Sequence, residues 1–318
     1  MKVTDLIKQA NGETLFSFEV LPPKKGESIN DLFSAIDPLM EFKPAFIDVT
    51  YHREEYVYKE REDGLIQKIV TKKRPGTVGI CAAIMNKYNV EAVPHLICGG
   101  FSKEETENAL IDLDFLGIDN VLALRGDGIK SEPKFMPHPE GNAYATDLIK
   151  QISDMNNGVY LDEALENGSK TDFCISAAAY PEKHFEAPNM QSEIYFLKKK
   201  IELGAEYVVT QMFFDNQKFF DFVKLCREEG ITVPIIPGLK PFATKSQITT
   251  LPSIFHIDLP DELLKELLKC KDNNAIKEVG VEWAIQQSKE LKEFGVPSLH
   301  YYTMSKSKLT QRIVKEVF

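Results

Sequence analysis

The chain has 318 residues, 43% hydrophobic and 27% charged, with a formal net charge of −10. That composition supports a large buried core, and the acidic balance without a clustered basic stretch argues against a nucleic-acid partner. Five scattered cysteines in apolar runs argue against a disulfide framework or zinc ribbon, and no run approaches membrane-spanning length, so a cytoplasmic location is expected.

The stretch Leu15 to Pro23 predicts a strand that carries one carboxylate, Glu19, in an apolar pattern and stops at a proline pair. An ionised carboxylate buried without a partner costs several kcal/mol, so such a group tends to keep its proton until the site needs it, as a general acid does. The competing reading is an ion pair across a sheet. Ser28 to Phe42 has helical spacing with Ser28 as cap, and Ala45 to Tyr51 is a second strand delivering Asp48, Thr50 and Tyr51. Arg53 to Arg74 is dense in charge and weakly periodic, which reads as an excursion over the surface, either one that folds over a site or a solvated insertion.

Thr77 to Tyr88 follows the helix period. Glu91 to Cys98 supplies a third strand ending near His95, and Gly99-Gly100 leads into a helix over Lys103 to Leu116. His95-x-x-Cys98 has a metal-like spacing but no second pair to complete a site, so no metal is expected. Asn120 to Leu124 is an apolar run of the buried parallel kind, followed by Arg125-Gly126-Asp127. The pattern repeats with strands at Asp172 to Ala179, Tyr207 to Thr210 and Pro234 to Pro237, and with helices at Gln191 to Leu203 and Gln217 to Glu229. A helical section from Thr244 to Phe294, broken at Pro252 and Pro260, precedes a last strand, Leu299 to Thr303, and a last helix, Lys306 to Val317.

About eight strands, each followed by helix, predict an α/β (β/α)8 TIM barrel, one domain over residues 1–318 with extra helices between strands 7 and 8. A doubly wound sheet would want a glycine-rich turn after the first strand, where this chain has Pro-Pro-Lys-Lys-Gly-Glu. The active site of a barrel lies at the C-terminal ends of its strands, where Glu19, Thr50, His95, Arg125, Asp127, Tyr180, His184 and Gln211 fall.

Eight motifs then occur in order over nearly the whole chain: Ser-Phe-Glu-x-x-Pro-Pro (17–23), Val-Thr-Tyr (49–51), Pro-His-Leu-x-Cys (94–98), Ala-Leu-Arg-Gly-Asp (123–127), Tyr-Pro-Glu-x-His (180–184), Thr-Gln-x-Phe-Phe-Asp (210–215), Ile-Ile-Pro-Gly (235–238) and His-x-Tyr-Thr (300–303). Together they resemble 5,10-methylenetetrahydrofolate reductase of the bacterial type, catalytic domain only. The resemblance implies a flavin barrel in which NADH or NADPH reduces FAD and, in ping-pong order, methylenetetrahydrofolate is reduced to methyltetrahydrofolate for methionine synthesis. It implies Glu19 as the general acid for opening the folate ring, Asp127 as a carboxylate beside flavin and pterin, and Gln211 as a pterin contact. Thr50, His95, Leu124, Arg125, Gly126, Tyr144, Ala145, Tyr180, His184, Glu193 and Lys200 would line the FAD site, and Lys306 is a candidate contact to the folate tail. The same likeness implies a homo-oligomer and no regulatory domain after Phe318.

The residue chemistry agrees with these roles. Ring opening needs an acid, an iminium is stabilised by a nearby carboxylate, and an amide such as Gln211 suits the mixed edge of a pterin. Phe213 and Phe214 could face a ring system or pack in the core. Glu193 stands where the family pattern has Asp, and Asn156 to Lys170 reads as an insertion. No ribose-reading motif decides between NADH and NADPH. A methyl-transferring folate barrel and a non-catalytic scaffold are the rival readings.

Overall fold

Short apolar runs become the staves of a parallel ring. The computed structural model describes residues 1–72, 74–128, 132 and 134–318, without the side chains of 71 and 72. The staves are β1 (Leu15–Val20), β2 (Phe46–Val49), β3 (Glu91–Ile97), β4 (Asn120–Leu124), β5 (Cys174–Ala179), β6 (Ala205–Thr210), β7 and β8 (Ser298–Tyr302). β7 is split by Pro237 into Ile235–Ile236 and Gly238–Leu239, because proline has no N–H for the ladder. The first half pairs with β6 and the second with β8, while the Pro237 carbonyl accepts from the His300 N–H at 3.1 Å. The ring closes where β8 pairs with β1, Ser298 opposite Leu15 and Tyr302 opposite Glu19. The expected barrel is therefore present, with three helices, Gln247–Phe255, Asp261–Lys269 and Asn273–Phe294, between β7 and β8.

Alternation sorts the side chains. Phe16, Phe18 and Val20 pack outward with Leu32, Ile36 and Leu39 beneath the helical layer. Phe46, Val93, Leu122, Tyr207 and Ile236 fill the interior. The residues between Phe16, Phe18 and Val20 are Ser17 and Glu19, which are left for the polar interior. A helix absent from the sequence reading, Val3–Gln9, closes the N-terminal end of the barrel. Its Val3 joins the interior cluster, and the Val3 N–H donates to Asn120 Oδ1 at 2.8 Å. The helix Ala145–Asn156, also unassigned from sequence, covers β4 and β5.

The charged segment 53–74 is a surface excursion that carries regular structure. Of it, residue 73 lies outside the described residues, and the rest contains an antiparallel hairpin, Glu55–Glu60 with Ile66–Lys72. Its faces are both largely exposed, so no apolar stripe marks it in the sequence. Arg53, just before the hairpin, makes a two-pronged contact to Glu132, each N–O distance 2.9 Å. Pro252 sits inside the helix Gln247–Phe255 rather than breaking it. That helix opens with three-residue hydrogen bonds, Ile248 N to Lys245 O and Thr249 N to Ser246 O, before Pro252 is reached. The stretch predicted as one helix to Phe42 is an α-helix, Ile29–Ile36, continued as a 3-10 turn through Phe42, with Pro38 at the change.

Candidate active site

Two polar clusters form at the C-terminal ends of the staves. The first lies inside the ring. In-register pairing sets Glu19 of β1 beside Asp48 of β2 and beside Tyr302 of β8, so side chains at these positions share the interior face. Glu19 is 7% exposed, Asp48 and His300 are fully buried and His95 is 3% exposed. His95 Nε2 is 3.3 Å from Asp48 Oδ2 and 3.9 Å from Glu19 Oε2. His300 Nε2 stands 3.9 Å from the same Asp48 oxygen, and its Nδ1 bonds Ser17 Oγ at 3.0 Å.

The two imidazoles differ. Burial lowers the proton affinity of His95, yet the bond to Asp48 and the nearby Glu19 carboxylate outweigh it and the pKa is raised. For His300 burial dominates and the pKa is lowered. Burial likewise depresses Lys240, which faces Glu19 electrostatically. A cavity of about 150 Å³ lined by Tyr51, Thr77, His95, Phe101 and Thr106 adjoins this cluster.

The second cluster pairs basic with acidic side chains and is half-buried. Arg125, after β4, donates to Glu186 at 2.6 Å and lies 5.0 Å over the Phe135 ring. Lys200 Nζ donates to the Ala178 carbonyl at 2.8 Å and lies 5.8 Å from the Tyr180 ring centroid. His184 packs edge-on against Tyr180, centroids 4.9 Å apart. Burial, then Arg125, lowers its pKa, and burial also lowers that of Lys200. Glu193, 4% exposed, accepts from the His184 backbone N–H at 3.0 Å, and burial raises its pKa.

The sequence-predicted residues thus divide. Glu19 and His95 meet in the ring; Arg125, Tyr180, His184, Glu193 and Lys200 meet in the second cluster. Thr50, at the end of β2, holds a buried hydroxyl with no partner among the described residues. Leu124 ends β4, and Gly126 follows with φ +82°. A Cβ there would sit 3.2 Å from Ile97, so a side chain at 126 would be both strained and crowded. Gln211 follows β6, its amide oxygen held by the Met212 N–H at 2.9 Å. Asp127 is exposed. Tyr144 is 62% exposed and caps the helix that Ala145 begins. Lys306 is exposed at the start of the last helix.

Phe213 and Phe214 both pack in the core, Phe213 stacked on Phe219 at 5.1 Å and Phe214 against Phe242 at 4.8 Å. His95 and Cys98 diverge, since His95 turns to Asp48 while Cys98 Sγ faces the Leu124 carbonyl. Among the described residues no group of three or more His, Cys, Asp or Glu side chains is placed to hold a metal. Asp48, His300, Lys240 and Glu186 were missed as site residues. Asp48 shares its strand face with Thr50 and His300 opens the motif His-x-Tyr-Thr, which are the signals that could have found these two.

The chemistry of these side chains fits an anionic, aromatic cofactor: Arg125 and Lys200 can donate to phosphate oxygens, and two buried polar atoms of the ring cluster, Thr50 Oγ1 and His95 Nδ1, have no partner among the described residues.

A family model described as methylenetetrahydrofolate reductase matches residues 2–317. Methylenetetrahydrofolate reductase (NADH) 1 of Arabidopsis thaliana is 34% identical over 320 residues, covering 97% of this chain and 49% of its own length. The 5,10-methylenetetrahydrofolate reductase of Pectobacterium carotovorum subsp. carotovorum is 30% identical over 311 residues, covering 96% of this chain and 91% of its own. The chain therefore spans about half the length of its plant relative and most of its bacterial one. Among solved structures, an uncharacterized protein from Clostridium thermocellum, which binds two copies of 5-methyl-5,6,7,8-tetrahydrofolic acid, superposes with a TM-score of 0.58 at 16% identity, covering 98% of both chains. That likeness establishes the shared barrel.

Proposed function

Since the chain belongs to the methylenetetrahydrofolate reductase family, we propose that it reduces 5,10-methylenetetrahydrofolate to 5-methyltetrahydrofolate with NADH or NADPH, using FAD in ping-pong order. In this reading the product supplies methyl groups for methionine synthesis, and the enzyme is a cytoplasmic homo-oligomer with one flavin-binding domain over residues 1–318. The observation that carries it is the buried carboxylate of Glu19 at the barrel mouth, 3.9 Å from the His95 imidazole. Bound FAD would supply the hydride relay between nucleotide and folate.

Arg125, His184 and Lys200 would hold the cofactor's diphosphate and ribityl groups, with Thr50, His95, Leu124, Gly126, Tyr144, Ala145, Tyr180 and Glu193 lining its site. Glu19 donates a proton to the folate ring amine as the five-membered ring opens. The Asp127 carboxylate favours the cationic iminium that this creates. Gln211 pairs with the pterin edge through an amide that both donates and accepts, and Lys306 meets the anionic folate tail.

An anaerobic absorbance experiment tests the reading. Flavin bound to the purified protein should bleach with NADH or NADPH and recover on addition of methylenetetrahydrofolate. Glu19→Gln should keep the bleaching and slow the recovery by roughly 10²–10⁴-fold, the usual contribution of a positioned acid. A folded protein that takes up no flavin would overturn the proposal, and recovery at the wild-type rate in Glu19→Gln would remove Glu19 from its role.

A further inference from the structure

Asp48 has no part in the roles above, yet it is the most enclosed carboxylate of the site. It is fully buried, and burying a charge without compensation costs several kcal/mol. Its Oδ2 is shared by two imidazoles, His95 at 3.3 Å and His300 at 3.9 Å. We propose that Asp48 is a positioning residue that keeps His95 as an imidazolium facing Glu19, and so prepares a counter-charge for the moment Glu19 loses its proton. This rests on the function proposed above.

The geometry explains why a partner is required. His95 is 3% exposed, so an imidazolium there is unfavourable without an adjacent anion. Of the two carboxylates, Asp48 is nearer to Nε2 than Glu19. The chemical step is a proton transfer: the O–H bond of Glu19 breaks, an N–H bond forms at the folate amine, and the electron pair stays on the Glu19 carboxylate. Negative charge thus grows 3.9 Å from His95 as the proton leaves Glu19, and an interaction that strengthens in that way lowers the barrier.

Other charged and titratable groups face the pair. His300 and Tyr302 of β8 lie near both carboxylates, and Lys240 lies near Glu19. Tyr207 of β6 and Cys81 of the helix Thr77–Tyr88 lie near Asp48. Tyr302, Tyr207 and Cys81 are held neutral by burial, and His300 and Lys240 are pushed toward neutrality. Asp48 is accordingly the nearest fixed anion to His95.

The test is an NMR titration of the His95 imidazole in the flavin-loaded protein, assigned by its loss in His95→Gln, together with the pH profile of folate-driven flavin reoxidation. In the wild type His95 should titrate above the ordinary value of 6.5. In Asp48→Asn its midpoint should fall by a unit or more, a tenfold change in proton affinity, and reoxidation should slow at least tenfold at alkaline pH while converging on the wild-type rate in acid. A wild-type midpoint below 6.5 overturns the proposal even if the variant does not fold. An unchanged midpoint, or a rate deficit independent of pH, overturns it as well. Failure of the wild type to reduce the folate counts against the proposed function instead, because the titration is read without folate.

Discussion

Gly238, where the second half of β7 begins, has no room for a side chain. A Cβ there would lie 2.2 Å from the Thr210 carbonyl oxygen, 2.5 Å from Tyr302 Oη and 2.6 Å from Tyr302 Cε2. Two hydrogen bonds depend on the same close approach: Tyr302 Oη donates to Thr210 O at 2.6 Å, and the Gly238 N–H donates to Thr210 Oγ1 at 3.0 Å. In Gly238→Ala overpacking costs about 1–3 kcal/mol, and each displaced hydrogen bond about 1 kcal/mol. The total is roughly 3–5 kcal/mol. An unfolding entropy of about 2.1 cal/mol/K per residue makes each kcal/mol worth roughly 1.5 °C, so Tm should fall by roughly 4–8 °C. Differential scanning fluorimetry and urea melts read this directly. Gly79, inside the helix Thr77–Tyr88 with nothing near its Cβ position, is the control: Gly79→Ala should stabilise by about 0.5–1 kcal/mol. A Gly238→Ala protein melting within a degree of the wild type would refute the packing argument.

Arg53→Ala removes two charge-assisted hydrogen bonds from a carboxylate only 14% exposed; a loss of about 1.5–3 kcal/mol is expected, with faster proteolysis within 53–74, and an unchanged melt would show the contact to be idle. All five cysteines are buried, and burial pushes Cys98 and Cys226 up to about 12 and Cys174 up to about 11. Ellman's reagent should therefore find no fast thiol before denaturation and five after it; one fast native thiol would contradict the packing. His300 has a folded pKa below its unfolded value of 6.5, so unfolding binds a proton and stability falls as pH drops through 6.5 toward the depressed pKa. Urea midpoints at pH 7.5 and 5.5 should differ less in His300→Gln than in the wild type, and equal slopes would rule out this contribution.

The barrel was legible because parallel staves flanked by helices read as short apolar runs, as Asn120–Leu124 does. The helix Thr77–Tyr88 was legible from its period alone. The hairpin was not, since Val57, Tyr58, Ile66 and Val70 are exposed among charges and no buried face imposes a pattern. Val3–Gln9 has only seven residues, too few for a period to stand out, and its place is set by distant contacts such as Val3 with Asn120. In the site, strand ends pointed to Glu19 and His95 one at a time. That Asp48 stands between two histidines depends on register among β1, β2, β3 and β8, which no local signal carries.

Closure of the ring through β1 and β8 also sets a timetable. The Thr303 hydroxyl that bonds the Glu19 carbonyl lies 284 positions further along the chain. At ~5–20 residues per second of synthesis, β1 waits roughly 15–60 s for that neighbour. During this interval one edge of β1 is open, and its Phe16, Phe18 and Val20 are the kind of surface that chaperones hold. Native contacts of such long range also slow folding. The pocket around Glu19 is thus completed last, so a nascent chain stalled before β8 carries the carboxylate without its enclosure.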